Sequence, residues 1–227
     1  MQIREYGNPD SSIVLIQPVD DHDLSWMEIE VSWIKSLAGN DFHLLAVKTN
    51  NWFSDLTPWS APAVFGDLDF GDGAQETLNR ILEMTGKPGK QYVIGGYSLA
   101  GLFALWAACQ ADRFIGVAAA SPSVWYPDFA EYLCSNPAQT KSVYLSLGDR
   151  EEKTRNPIMA TVGDRIRKIF SHMETQGIPC CLEWNEGNHF RDPDIRTAKA
   201  FAWVMKMIQT EIEQDHQQGP VGTDGRV

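Results

Sequence analysis

The feature that most constrains this chain is the run Val93-Ile94-Gly95-Gly96-Tyr97-Ser98-Leu99-Ala100-Gly101-Leu102-Phe103-Ala104-Leu105. It reads as an apolar strand, a tight turn of the form Gly-x-Ser-x-Ala, and an apolar helix. A serine at the apex of a sharp strand-to-helix turn has a strained backbone and projects its hydroxyl above the sheet. The positions two before and two after it lie against each other, so both must be small. Here they are Gly96 and Ala100, a methyl group standing where a second glycine is more usual. Ser98 is therefore a candidate nucleophile, and the helix that follows offers its N-terminus to a developing negative charge. So short a pattern also arises by chance; its place between a buried strand and a helix gives it weight.

The rest of the chain alternates strand and helix. Ile13–Val19 is an apolar run that reads as a buried strand. Helix-start chemistry follows at Asp23-Leu24-Ser25, and Trp26, Ile29, Trp33, Ile34 and Leu37 fall at helical spacing before Gly39-Asn40. Further strands are expected over 42–47, 91–94, 116–120, 142–147 and 180–184. Helices are expected over 74–85, 99–109, 158–175 and 193–212. The segment 49–73 is long, irregular and rich in aromatic residues, and loops of that length are often functional. This alternation implies an α/β architecture, a mostly parallel sheet covered on both faces, with ligands at the carboxyl ends of the strands. The length of 227 residues suits one domain over 1–213. The polar stretch 214–227 is expected to fray.

Composition narrows the partners. A formal net charge of −11 repels phosphate backbones, so nucleic acid is not an expected partner. No apolar stretch approaches the roughly 20 residues of a membrane span, and the first residues lack the pattern of a signal peptide. Cys109, Cys134, Cys180 and Cys181 form no ligand-spaced set. Neither metal nor cofactor is expected, and the thiols read as reduced core residues of a cytoplasmic protein. Cys180 and Cys181 should face opposite sides of a strand.

A serine hydroxyl needs a base. Leu182-Glu183-Trp184-Asn185-Glu186-Gly187-Asn188-His189-Phe190 places His189 on a loop after the last strand, where it can reach Ser98. His43 begins a strand, His172 lies within a helix and His216 in the tail; His22, just after the first strand, is the serious rival. A third group should orient the imidazole. Asp149, Glu151 and Glu152 crowd the stretch after the penultimate strand, with Asp149 placed to cap the turn and Glu152 beside Lys153 at the surface. An oxyanion hole needs two backbone donors. One is the amide of Leu99; the other should come from Asp20-Asp21-His22. Acidic side chains there are unexpected beside an oxyanion. They must point away or bind a cationic part of the substrate, and Asp21 is the residue of this loop expected to serve the oxyanion hole or the substrate.

With these residues in place, the chain resembles the esterase family of α/β-hydrolases that includes esterase D and the enterobactin esterases. The elbow GYSLAGLFAL is similar to that family's G-x-S-x-G-G. Ala120-Ser121-Pro122-Ser123-Val124-Trp125-Tyr126 is similar to its Ser-Pro-Ser-x-Trp segment bordering the active site. The resemblance runs from about Ile13 to Met207. It implies the α/β-hydrolase fold without a large lid domain and a triad of Ser98, an acid and His189. Gly148-x-x-Glu151 fits the acid, with Asp149 the runner-up. It also implies cleavage of carboxylic esters through an acyl-enzyme, without fixing the substrate; the lack of an apolar lid points to small soluble esters. Acyl transfer by the same triad and a non-catalytic binding role are the alternatives, and oligomeric state stays open. Trp125, with Trp52 or Trp59, is expected to form a compact aromatic wall for substrate. The family often has a longer N-terminal region than the dozen or so residues before Ile13, and the 49–73 loop is expected to do part of a lid's work.

Overall fold

The computed structural model describes residues 2–217. In chain order the strands are β1 (Gln2–Gly7), β2 (Ile13–Val19), β3 (His43–Lys48), β4 (Gln91–Tyr97), β5 (Phe114–Ala120), β6 (Ser142–Gly148) and β7 (Cys180–Asn185). The helices are α1 (Asp21–Ala38), α2 (Trp52–Asp55), α3 (Ala74–Glu83), α4 (Leu99–Gln110), α5 (Phe129–Ser135), α6 (Val162–Thr175) and α7 (Pro193–Gln217). The strands form one sheet in the order β1-β3-β2-β4-β5-β6-β7. Every neighbouring pair is parallel except β1 with β3.

Every residue of β2 and of β6 is buried, as befits strands covered on both faces. Helices α1 and α7 close one face, where Leu15, Leu44, Val93 and Tyr144 meet Met27, Ile34 and Phe201. Helices α3 to α6 close the other, where Ile16, Ile94, Val117 and Leu145 meet Leu78, Phe103 and Ile166. Helix α4 is buried continuously from Leu99 to Ala108, so its sequence shows no polar face. Cys180 packs with the α3–α6 layer and Cys181 with the α1–α7 layer, on opposite faces as expected. All four cysteines are free thiols.

Several features differ from expectation. Strand β1, unforeseen, runs antiparallel to β3 from Gln2↔Lys48 to Gly7↔His43. It is almost wholly exposed and polar, the composition of a protected sheet edge. Helix α1 turns a different face inward. Leu24, Met27, Val31 and Ile34 are buried, whereas Trp26, Ile29 and Trp33 are exposed. The 49–73 segment contains α2 and a two-residue bridge between Ala61 and Phe70. Phe53, Phe65 and Phe70 pack edge-on to one another and onto Trp125 and Tyr126. Helix α5 was also unforeseen. Helix α7 continues to Gln217, past the point where fraying was expected; residues 218–227 of that tail lie outside the described residues.

Candidate active site

The carboxyl end of β4 turns sharply into α4 at Ser98, whose φ of 57° and ψ of −118° put it in the strained conformation expected of a nucleophile elbow. Its amide donates to the Ala120 carbonyl at 3.1 Å, and its own carbonyl accepts from Leu102 and Ser123. Gly96 has a φ of +151°, and a Cβ there would stand 2.6 Å from the Cβ of Ala100. That contact is the physical content of the small-residue requirement, and it leaves Gly96 no substitute. Leu99 is the first residue of α4, so its amide has no acceptor within the helix.

Two distant loops converge on Ser98. His189, on the loop after β7, lies with Nε2 3.0 Å from Ser98 Oγ and Nδ1 2.7 Å from Glu151 Oε2. Glu151 begins a 3₁₀ turn after β6 and is buried. Its other oxygen, Oε1, accepts from the Gly148 amide at 2.7 Å, Ser121 Oγ at 2.9 Å and Arg196 Nη1 at 3.1 Å. A carboxylate with this many donors is fixed in position. Asp149 instead accepts from the Gly187 amide at 2.8 Å, tying the β6 loop to the loop that carries His189. Glu152 forms a two-point pair with Arg167. His22 lines the cavity over Ser98 but packs toward Trp26; His189 is the histidine within hydrogen-bond reach of the serine.

Sequence reasoning missed two contributors, Arg196 and Tyr97, and placed Ser121 and Ser123 at the border of the site without assigning their contacts. Arg196 on α7 is almost fully buried and donates to Glu151, Ser121, the Tyr97 hydroxyl and the Glu186 carbonyl. Its signal was present: 196, 200, 204 and 208 form one helical stripe, and the other three are Ala200, Val204 and Ile208, all buried. Tyr97 donates to the His189 carbonyl at 2.7 Å, bracing that loop; burial pushes its hydroxyl up to about 12. Ser121 and Ser123 hold opposite ends of the relay. Ser121 bonds Glu151, while Ser123 Oγ lies 3.1 Å from Ser98 Oγ.

His189 and Phe190 stand between two cavities. One of about 590 Å³ takes in Ser98, Trp26 and Trp52; the other, of about 450 Å³, takes in Trp125, Arg150, Lys153 and Met159. The expected single aromatic wall is thus divided. Trp125 and Trp52 belong to different cavities. Trp59 belongs to neither, its ring packed among Tyr126, Phe129 and Tyr132 and its Nε1 donating to the Pro127 carbonyl. The Asp21 side chain takes the first of its two expected courses and points away from the site. It is exposed and pairs with Lys48 at 2.5 Å, because the first turn of α1 directs it toward the end of β3 and out of the cavity that holds Ser98. What Asp21 can offer the site is its backbone amide, at the first position of α1.

The larger cavity is acidic. Asp20 and Asp23 form a reciprocal capping box at the start of α1. Burial, and then Asp20, push the Asp23 carboxyl up to about 6. Asp20, His22 and Asp23 bring ligand atoms within 4.8 Å of one another, the one such group among the described residues; both carboxylates are already engaged with helix amides. Deeper, Glu30 is buried with Gln17, whose Nε2 donates to Glu30 Oε2 at 3.3 Å. Burial holds the Glu30 carboxyl well above the usual carboxylate range. The folded protein therefore keeps a proton that the unfolded chain releases once pH exceeds its own value. The stabilisation is complete at low pH and is lost as pH rises toward the folded value. Glu30→Gln should raise Tm more at pH 8 than at pH 4.5, by at least about 2 °C, the shift about 1 kcal/mol produces in a domain of this size. Equal Tm changes at both pH values in thermal melts would contradict this account.

No protein-family model matches the sequence, and no curated protein matches it. Solved structures do. An IroE-like serine hydrolase from Shewanella oneidensis superposes with a TM-score of 0.71 at 14% identity, covering 90% of this chain and 75% of that one. The siderophore hydrolase EstA from Aspergillus nidulans gives 0.59 at 18% identity, covering 88% and 85%. The enterobactin esterase FES from Shigella flexneri gives 0.59 at 14%, covering 92% of this chain, which spans 55% of that longer one. At these identities the likeness speaks for the architecture, and the chain has the α/β-hydrolase fold that these serine hydrolases and siderophore and enterobactin esterases share.

Proposed function

We propose that this protein is a serine hydrolase that cleaves carboxylic esters of small molecules through an acyl-enzyme on Ser98, with the sheet and its helices acting as one domain. The observation that carries this reading is the unbroken line from Glu151 through His189 to Ser98, with contacts of 2.7 and 3.0 Å, at a strained elbow. In the first step His189 Nε2 takes the Ser98 proton as Oγ adds to the ester carbonyl. Glu151 holds Nδ1–H and balances the imidazolium. The Leu99 amide and an amide from the first turn of α1 are the oxyanion donors in this reading, each at a helix N-terminus. Collapse expels the alcohol with the proton from His189. Water, activated by the same imidazole, then releases the acid.

Cavities of these sizes suit short acyl and alcohol groups. Among the described residues no helix is long and apolar enough to cross a membrane. The test is trapping. A fluorophosphonate should add to the native protein, and peptide mass mapping should place the adduct on Ser98. p-Nitrophenyl acetate and butyrate should turn over faster than the decanoate. A native protein that takes up no probe and cleaves none of these esters would end the reading.

A further inference from the structure

The acidic residues around the larger cavity are of two kinds. Asp20, Asp23 and Asp194 stand in or beside the first turns of α1 and α7, where carboxylates stabilise helix N-termini without reference to any ligand. Glu30 is different. It lies in the middle of α1, is buried, and lines the same cavity as Ser98 and His189. Gln17, near the end of β2, lines it too and is equally buried. Their mutual bond uses Gln17 Nε2 and Glu30 Oε2. The remaining oxygen of each, Gln17 Oε1 and Glu30 Oε1, has no hydrogen-bond partner. Two buried polar oxygens without partners are costly to the fold, and a pair kept only to join α1 to β2 would not require them. An aliphatic pair of similar volume would join the two elements more cheaply.

We propose that Glu30 and Gln17 form the floor of a specificity pocket that binds an ammonium group on the substrate, so that the preferred ester carries a primary amine. This deepens, and rests on, the reading of Ser98 as an esterase nucleophile. A primary ammonium brings several donors and no acceptor, which matches the two unpaired oxygens once Glu30 has given up its proton. Its charge suits the surroundings. Asp20, Asp23, Asp192 and Asp194 also line the cavity, and no lysine or arginine lines it among the described residues. Trp26 and Trp52 on the walls offer ring faces for the adjoining methylenes or for the cation itself. Burial and the repulsion of Asp23 and Asp194 disfavour the charged form of Glu30; a bound cation reverses both effects, so binding should release a proton to solvent. Charge also separates the two cavities, because Arg150 and Lys153 line the one beyond His189. An ester therefore has one end at which an ammonium is favoured.

The experiment is a matched series of p-nitrophenyl esters whose acyl chains end in methyl, primary ammonium, trimethylammonium or carboxylate. For the wild type, kcat/KM should be roughly 10- to 100-fold higher for the primary ammonium than for the methyl ester, as expected for charge-assisted hydrogen bonds. Trimethylammonium, which cannot donate, should gain less. In Glu30→Gln the ammonium-to-methyl ratio should fall to about 3 or below. In Asp194→Asn it should fall partway. Glu28→Gln, which removes a charge from the exposed face of the same helix, should keep the wild-type ratio. In parallel, calorimetry on the intact Ser98→Ala protein should detect butylammonium but not butyrate, with protons released in buffers of different ionisation enthalpy. Equal rates for ammonium and methyl esters, a preference for carboxylate, or a ratio indifferent to Glu30→Gln would overturn the proposal while leaving the esterase reading intact. Tighter binding of calcium, magnesium or zinc than of butylammonium would overturn it in favour of a metal at Asp20, His22 and Asp23. Butylammonium binding that depends on Glu30, in a protein that cleaves no ester, would uphold the pocket and refute the esterase reading.

Discussion

Ser98→Ala is expected to lower kcat toward a p-nitrophenyl ester by about 10⁶ while leaving Tm within about 2 °C of wild type, and to abolish fluorophosphonate labelling. The size follows from what the mutation removes. Without Oγ there is no covalent intermediate, and what remains is the His189–Glu151 pair, the oxyanion donors and the binding cavities. The fold should be indifferent, because the elbow is held by the Ser98 amide and carbonyl rather than by its side chain. The strained φ is released in part by neither residue, since alanine carries the same Cβ. His189→Ala should be nearly as damaging, because Ser98 then has no base. His22→Ala should keep most activity, as His22 has no contact with Oγ. A Ser98→Ala protein that hydrolyses the ester at wild-type rate would remove Ser98 from the mechanism. A dead His22→Ala protein beside an active His189→Ala would move the base to α1.

The parts of this site that were readable from sequence are those encoded locally. The elbow is thirteen consecutive residues in which strand, turn and helix each announce themselves, and Gly96 and Ala100 carry their steric reason at fixed spacing. Chain order in an alternating architecture then brings the loops after β6 and β7 to the same edge, which is why Glu151 and His189 were within reach of reasoning. What escaped has the opposite character. Arg196 meets Tyr97 across ninety-nine residues, and nothing near either position hints at the other. The face that α1 turns inward depends on α7, a partner far along the chain, so three exposed apolar residues at helical spacing gave a misleading stripe. Strand β1 has neither an apolar run nor a buried face, and its only reason to be a strand is the free edge of β3. The division of the tryptophans between two cavities is set by where His189 and Phe190 stand. No spacing along the chain encodes that.

The remaining test concerns the acid. Glu151→Gln should lower kcat by about 10⁴, well below the penalty for Ser98, because nucleophile and oxyanion donors survive. Glutamine is nearly isosteric and can still accept through its carbonyl, but it no longer offers the imidazolium a balancing charge. It also faces Arg196, which would be left as a buried cation without its carboxylate, so Glu151→Gln should lose Tm as well as rate. The two effects separate through Arg196. Arg196→Met removes the cation and leaves Glu151 its bonds from His189, Ser121 and Gly148, so it should cost Tm heavily but kcat far less than Glu151→Gln at a temperature where both variants are folded. Asp149→Asn should be milder than Glu151→Gln. Its Oδ1 holds the Gly187 amide, and an asparagine carbonyl can keep that bond, so a loss of about tenfold or less is expected from a slight loosening of the His189 loop. Glu152→Gln should retain nearly wild-type kcat, since it weakens a partly exposed pair with Arg167. Steady-state kcat for the four variants, with Tm measured on the same samples, decides the order. If Asp149→Asn proves the crippled one, the acid is Asp149 and the contact between Glu151 and His189 is structural. If Glu151→Gln loses rate only in proportion to its loss of folded protein, Ser98 and His189 work as a pair and the buried carboxylate serves the fold.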